Sequence, residues 1–114
     1  MSTNHIAIGE AYYTAMGAKD ITSLVKYIHP EIKFVGPFGE SEGKEAFLKS
    51  AEGFMQAFKK LTIRTACGEG DQAMLVYDVE CPSPIGNIRS AALMNFRNEL
   101  ICRIELFFDA HPFR

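Results

Sequence analysis

The chain has 114 residues, 47% of them hydrophobic and 23% charged, with a net charge of −2 at pH 7 and a pI near 5.9. This balance suits one globular domain, 1–114, that buries about two-thirds of its unfolded surface, and it argues against disorder. It offers no basic field for nucleic acid or anionic lipid, and no apolar run approaches the ~20 residues that a membrane span needs.

The amino terminus reads as a helix from Thr3 or Asn4 to Ala18, with Ile6, Tyr13 and Met16 near one face and Ile8, Tyr12 and Ala15 widening it. Tyr12 and Tyr13 are about 100° apart on that helix, so both are not expected to point straight into one pocket. Asp20 is placed to cap a second, short helix, Ile21 to Ile28, which ends at His29-Pro30 because a residue before proline avoids the α region. Glu31 to Val35 alternates as a strand. Gly36 to Gly43 reads as a loop on its glycine and proline content. Lys44 to Lys60 is the clearest helix, with Phe47, Leu48, Ala51, Phe54, Met55 and Phe58 at three- and four-residue spacing.

The period then changes. Leu61 to Cys67, Ala73 to Cys81, Asn87 to Arg97 and Leu100 to Asp109 read as strands, joined by Gly68–Asp71, Pro82–Gly86 and Asn98-Glu99. Leu75, Tyr77, Val79 and Cys81 share one face of the second of these. In the last strand Arg103, Glu105, Phe107 and Asp109 share a face opposite Ile104, Leu106 and Phe108. The charged face suits either solvent or a polar pocket floor. Helices first and a meander of strands after give an α+β fold, with helices on one face of an antiparallel sheet.

Cys67, Cys81 and Cys102 are odd in number and lack metal-type spacing, which points to free thiols in a reducing compartment. Met1 to Glu10 lacks the basic-then-apolar start of a secretory signal, so a cytoplasmic location is expected. His5, His29 and His111 show no metal-binding spacing; neither a metal site nor a cofactor is expected. His29 is either a pocket-mouth base or a cap on the preceding helix end.

The order of elements resembles the nuclear transport factor 2-like superfamily, in particular its SnoaL-like branch of polyketide cyclases and ketosteroid isomerase. The residues that carry the resemblance are Tyr12 to Asp20, Phe34 to Gly39, Gly43 to Phe47 and Ile104 to Asp109. It implies a cone: a curved antiparallel sheet wrapped around two or three amino-terminal helices, a cystatin-like α+β roll. The concave face is then expected to carry Phe34, Gly36, Leu75, Tyr77, Val79, Met94, Phe96, Arg103, Glu105 and Phe107. The convex face would carry Leu93, Ile104, Leu106 and Phe108, and its apolar character suggests a homodimer.

The isomerase pattern, laid on this chain, matches its oxyanion-hole tyrosine to Tyr12. Its base falls on Gly36 and its protonated acid on or near Met94, so two of three chemical groups are missing. The cyclase resemblance instead implies Asp109 as acid or base, with Glu105 on the same face and Tyr12 as the third candidate catalytic group. Arg103 would hold an anionic substrate group or simply pair with Glu105, and the structural ion pair is the favoured reading. Tyr77, Phe34, Phe54, Phe58, Met94 and Phe107 complete the expected ligand-binding wall. The expected function is an apolar pocket for a small hydrophobic carbonyl-bearing molecule, with or without proton transfer. The alternative is a non-catalytic dimerisation or protein-interaction domain that uses the convex sheet face.

Overall fold

The computed structural model describes the backbone of residues 2–109, with side chains from residue 5 onward. Helix α1 spans Ser2–Gly17. Its chain leaves through Lys19, whose φ of 58° lies in the left-handed region usually left to glycine. The Lys19 ammonium holds that exit, donating to the Phe58 carbonyl and lying 4.7 Å from the centre of the Phe58 ring.

Asp20 caps α2, accepting from the Ser23 amide at 3.2 Å and from the Ser23 hydroxyl at 2.7 Å. These bonds hold its carboxyl below the usual range. Helix α2 is one turn, Ile21–Leu24, followed by a 3-10 turn, Val25–Tyr27. The expected continuation to Ile28 fails because strand β1, Ile28–Gly36, begins there. His29 and Pro30 both take extended backbone, which suits a residue before proline and proline itself.

The segment expected as a loop is a hairpin. Strand β2, Gly39–Glu42, pairs back on β1 from Gly36↔Gly39 to Lys33↔Glu42 around Pro37 and Phe38. Gly39, at φ 140°, permits so tight a return. Helix α3, Lys44–Ala57, is three residues shorter than its pattern suggested, because Phe58 is already extended. Strands β3 (Lys60–Glu69), β4 (Gln72–Glu80), β5 (Asn87–Arg97) and β6 (Leu100–Phe108) complete the chain.

The sheet order is β2-β1-β6-β5-β4-β3. Neighbours are antiparallel except β1 and β6, which run parallel, with α3 and four strands between them in the chain. Both long helices lie on one face: α1 against β3 and β4, α3 against β1 and β2. Between helices and sheet, Leu24, Ile28, Ile32, Leu75, Met94, Ile101 and Ile104 are fully buried. Each such side chain stabilises the fold by about 1.5–3 kcal/mol before entropy is counted.

One face assignment is reversed. Strand β6 pairs Asn95↔Arg103 and then Phe96↔Ile101, so Cys102 is an extra residue, a bulge that shifts the alternation by one. Beyond it, Ile104, Leu106 and Phe108 pair with Met94, Ala92 and Ser90 and face the helices. Arg103, Glu105 and Phe107 pair with Asn95, Leu93 and Ala91 on the convex side. The concave positions that the resemblance implied for Arg103, Glu105 and Phe107, and the convex ones for Ile104, Leu106 and Phe108, are both corrected by this register against β5.

Gly68 marks the tightest backbone approach. A Cβ there would lie 2.7 Å from the Gln72 carbonyl oxygen and 2.9 Å from Ile6. Gly68→Ala is therefore expected to destabilise the protein by about 1–3 kcal/mol, read as a lower urea midpoint with unchanged slope. An unchanged midpoint would show that the β3–β4 turn can open freely.

Candidate functional site

Where α1 and α3 part, the curved sheet encloses a cavity of about 450 Å³. Tyr12, Tyr13 and Met16 reach it from α1, and Phe47, Ser50, Ala51, Phe54 and Ala57 from α3. The sheet supplies Phe34, Gly36, Tyr77, Val79, Ile88, Ser90, Leu106 and Phe108. The β1–β2 turn and the β4–β5 connection form the mouth, with Phe38 and Ile85 on opposite sides. Phe38 is 67% exposed and makes an edge contact with Phe108, their ring centres 5.6 Å apart.

The wall is apolar except for one group of hydroxyls. Tyr12 and Tyr13 meet edge to face at 4.7 Å, and Tyr13 lies 4.3 Å from the Tyr77 ring. The Tyr77 hydroxyl donates to that of Tyr13 at 3.2 Å. Ser90, the only buried polar residue among those described, is the cross-strand partner of Tyr77. Among the described residues the Tyr12 hydroxyl has no hydrogen-bond partner, although its residue is only 2% exposed. It borders the cavity instead of being sealed in protein. An unmade bond of that kind costs about 1–3 kcal/mol unless water or a ligand completes it.

Burial first, and the neighbouring Tyr77 second, push the phenols of Tyr12 and Tyr13 well above the ordinary value. Tyr77 is pushed up to about 12 by burial, against the opposing pull of Tyr13 and Ser90, which can turn to donate to its phenolate. Burial likewise raises the Cys81 thiol at the cavity edge. Near neutral pH these groups are protonated donors, not bases.

Of the residues singled out from sequence, Tyr12, Tyr77, Phe34 and Phe54 line the cavity. Phe58 packs against Phe54 with its ring tilted by 40° and the centres 4.8 Å apart, but it is fully buried and takes no part in the lining. Met94 is also sealed in the core, its sulfur 3.2 Å from where a Cβ on Gly9 would sit. Arg103 and Glu105 pair with each other at 3.6 Å on the convex face, and Phe107 is 47% exposed beside them. Asp109 is exposed just past β6 and does not line the cavity.

His29 accepts the Glu31 amide at 2.9 Å through Nδ1 and stands away from the mouth; His111 lies outside the described residues. Among the described residues no cluster of His, Cys, Asp or Glu could hold a metal.

Tyr13, Ser90, Leu106 and Phe108 were not foreseen as lining residues. Both tyrosines border the cavity, although about 100° of helix separates them. The available signal for Ser90 was its polarity within the otherwise apolar alternation Ile88, Ser90, Ala92, Met94.

A family model described as a SnoaL-like domain matches residues 10–104, nearly the whole cone. The chain belongs to the SnoaL-like domain family. Solved structures agree in fold. One protein from Kribbella flavida DSM 17836 superposes with a TM-score of 0.89 at 24% identity, covering 95% of this chain and 88% of that one. A second from the same organism, provisionally named a ketosteroid isomerase, has a TM-score of 0.82 at 12% identity, with 95% and 79% covered. A Sinorhizobium meliloti protein, provisionally named a polyketide cyclase, has a TM-score of 0.81 at 18% identity, with 89% and 94% covered. No protein of curated function matches the chain.

The phenol cluster makes this SnoaL-like domain sensitive to alkali. An unfolded tyrosine releases its proton near pH 10, whereas folded Tyr77 does so at about 12. Stability from Tyr77 is therefore complete below pH 10 and is lost as pH rises through 12, about 2–3 kcal/mol in all. In a Tyr27→Phe background, phenolate absorbance should rise together with loss of far-ultraviolet circular dichroism. Titration near pH 10 with the fold intact would contradict a buried cluster.

Proposed function

We propose that this domain binds a small hydrophobic, carbonyl-bearing molecule in the cone, with Tyr12 donating to the carbonyl oxygen. The observation that carries the reading is the Tyr12 hydroxyl, buried with its residue yet unpartnered among the described residues and bordering a largely apolar cavity. A volume of about 450 Å³ falls within the range of small-molecule sites. Tyr13 and Tyr77 stand behind Tyr12 as neutral hydroxyls that keep the donor side of the cavity fixed. Family membership supports a carbonyl ligand, since fold relatives carry isomerase and cyclase names.

Binding, not turnover, is the conclusion. Moving a proton beside a carbonyl needs a base, and Asp109 and Glu105 do not line the cavity. The one carboxylate that does, among the described residues, is Glu40 at the mouth, 3.7 Å from Lys33. A cytoplasmic setting is supported by the three free thiols Cys67, Cys81 and Cys102.

A neutral aromatic ketone, 2-acetylnaphthalene, is a suitable probe for calorimetry. Tyr12→Phe should weaken its binding about tenfold, the worth of one buried hydrogen bond, with little change in melting temperature. Ser50→Trp, at the α3 wall, should abolish binding by filling the cavity. Equal affinity for all three proteins would remove the cavity as the site.

A second reading concerns the convex face, which no helix covers. Met74, Val76, Ala91 and Leu93 adjoin one another there, partly exposed, with Phe107 opposite Ala91. This surface suits a homodimer, in which a second copy covers the apolar strip between the paired charges. Sedimentation at micromolar concentration should give a dimer, and Phe107→Glu with Leu93→Glu should give a folded monomer. A monomeric parent protein would rule the dimer out.

A further inference from the structure

We infer that the cavity selects its ligand in the uncharged form: it takes a neutral ketone or phenol and excludes the carboxylate or phenolate of the same ring skeleton. This rests on the binding reading above and adds the charge class of the ligand to it.

The argument begins with what faces the cavity from each element. Helix α1 brings Tyr12 and Tyr13, and α3 brings Ser50. Strand β2 brings Glu40 and Ser41, β4 with its exit brings Tyr77 and Cys81, and β5 brings Ser90. Strands β1 and β6 contribute only apolar groups and Gly36. No lysine, arginine or histidine lines the cavity among the described residues.

Three cations on the surrounding elements are committed elsewhere. Lys33 pairs with Glu40 at 3.7 Å. Lys19 is held by the Phe58 carbonyl and ring, behind the cavity wall. Arg103, which could have received an anion had it faced inward, is paired with Glu105 on the opposite side of the sheet.

An entering anion would therefore lose its hydration for hydroxyl donors alone, with the one carboxylate at the mouth, Glu40, already paired with Lys33. Part of that donor capacity is already engaged, because Tyr77 donates to Tyr13. A neutral carbonyl needs only one donor for its polar atom, and the open Tyr12 hydroxyl supplies it. Ionised groups placed in an apolar medium without a counter-charge are disfavoured far more than neutral polar groups.

The protein's own side chains show how this medium treats a phenol. Tyr12, Tyr13 and Tyr77 all hold their protons more tightly than in water, Tyr77 despite two neighbours able to stabilise its phenolate. A ligand phenol lying against them meets the same medium. The rise of Tyr77 from 10 to about 12 is a hundredfold preference for the neutral form.

The test compares two probes on one skeleton, 2-acetylnaphthalene and 2-naphthoate, by calorimetry at pH 7. The ketone should bind on the order of 100-fold more tightly than the carboxylate. A Ser50→Lys variant, which adds a cation at the lining, should narrow or reverse that ratio. In parallel, 4-nitro-1-naphthol, whose neutral and ionised forms absorb differently, should ionise at higher pH when bound than when free.

Equal binding of ketone and naphthoate, or a bound naphthol that ionises at lower pH than free, would overturn the charge selection and leave the binding reading standing. If neither naphthalene binds, the binding reading fails and the selection fails with it.

Discussion

The structure depends on one geometric constraint: a six-stranded sheet has only one face covered, and the two long helices that cover it do not run together. Helix α1 follows β3 and β4, whereas α3 follows β1 and β2. A flat sheet would leave a trough of bare apolar side chains between them. Curling the sheet brings β5 and β6 up toward the gap, and β-bulges allow strands to bend so sharply. Three of the sheet's pairings carry such irregularities, in β1, β3 and β6. The cavity is what remains when curvature closes most of that gap but not all of it. The bare convex face is the other side of the same arrangement.

Within the cavity the polar chemistry is narrow. Phenol and serine hydroxyls are the groups that tolerate deep burial with few partners, because they stay neutral and can rotate to donate or accept. Two ion pairs lie on the sheet strands outside the cavity lining, where Arg64 meets Asp78 at 3.2 Å and Arg103 meets Glu105 at 3.6 Å. Such exposed pairs add little to stability. They sort the two faces of the sheet, keeping ionic groups out of the cone and leaving its interior a weakly polar medium. Recognition there rests on shape and on where a hydroxyl points.

Much of the fold was legible in the sequence, because its signals are periodic and local. The stripe of Phe47, Ala51, Phe54 and Met55 defines α3, and the alternation Leu75, Tyr77, Val79 gives the inner face of β4 correctly. The family resemblance rested on motifs spread along the chain, and these survive small errors in element ends. The β1–β2 hairpin was not legible because glycine and proline mark a tight turn and a long loop alike. Pairing of Lys33 with Glu42, which decides between them, is a contact that composition does not encode.

The candidate site was less legible than the fold. Tyr12, Tyr77 and Phe54 could be placed because their elements are regular up to the cavity, and Phe34 because it lies past the irregularity in β1. Arg103 and Glu105 could not: their alternation with Ile104 and Leu106 was legible, but which set faces inward is implied only by the resemblance, and the register against β5 decides it. Nothing in the run from Leu100 to Ile104 announces an extra residue: Cys102 is neither glycine nor flanked by turn formers. Only the register against β5 reveals it.

That extra residue is absorbed without changing the strand's inner surface. The sequence after Cys102 contains an apolar comb, Ile104, Leu106, Phe108, interleaved with a polar one, Arg103, Glu105, Asp109. Ile101 pairs with Phe96 and Arg103 with Asn95, so the bulge takes up Cys102 between two pairs that already alternate. Deleting Cys102 would leave those pairs adjacent and the apolar comb still facing inward. The bulge is thus a buffer for chain length: a one-residue insertion or deletion there is taken up locally, and the wall of the cone keeps its chemistry.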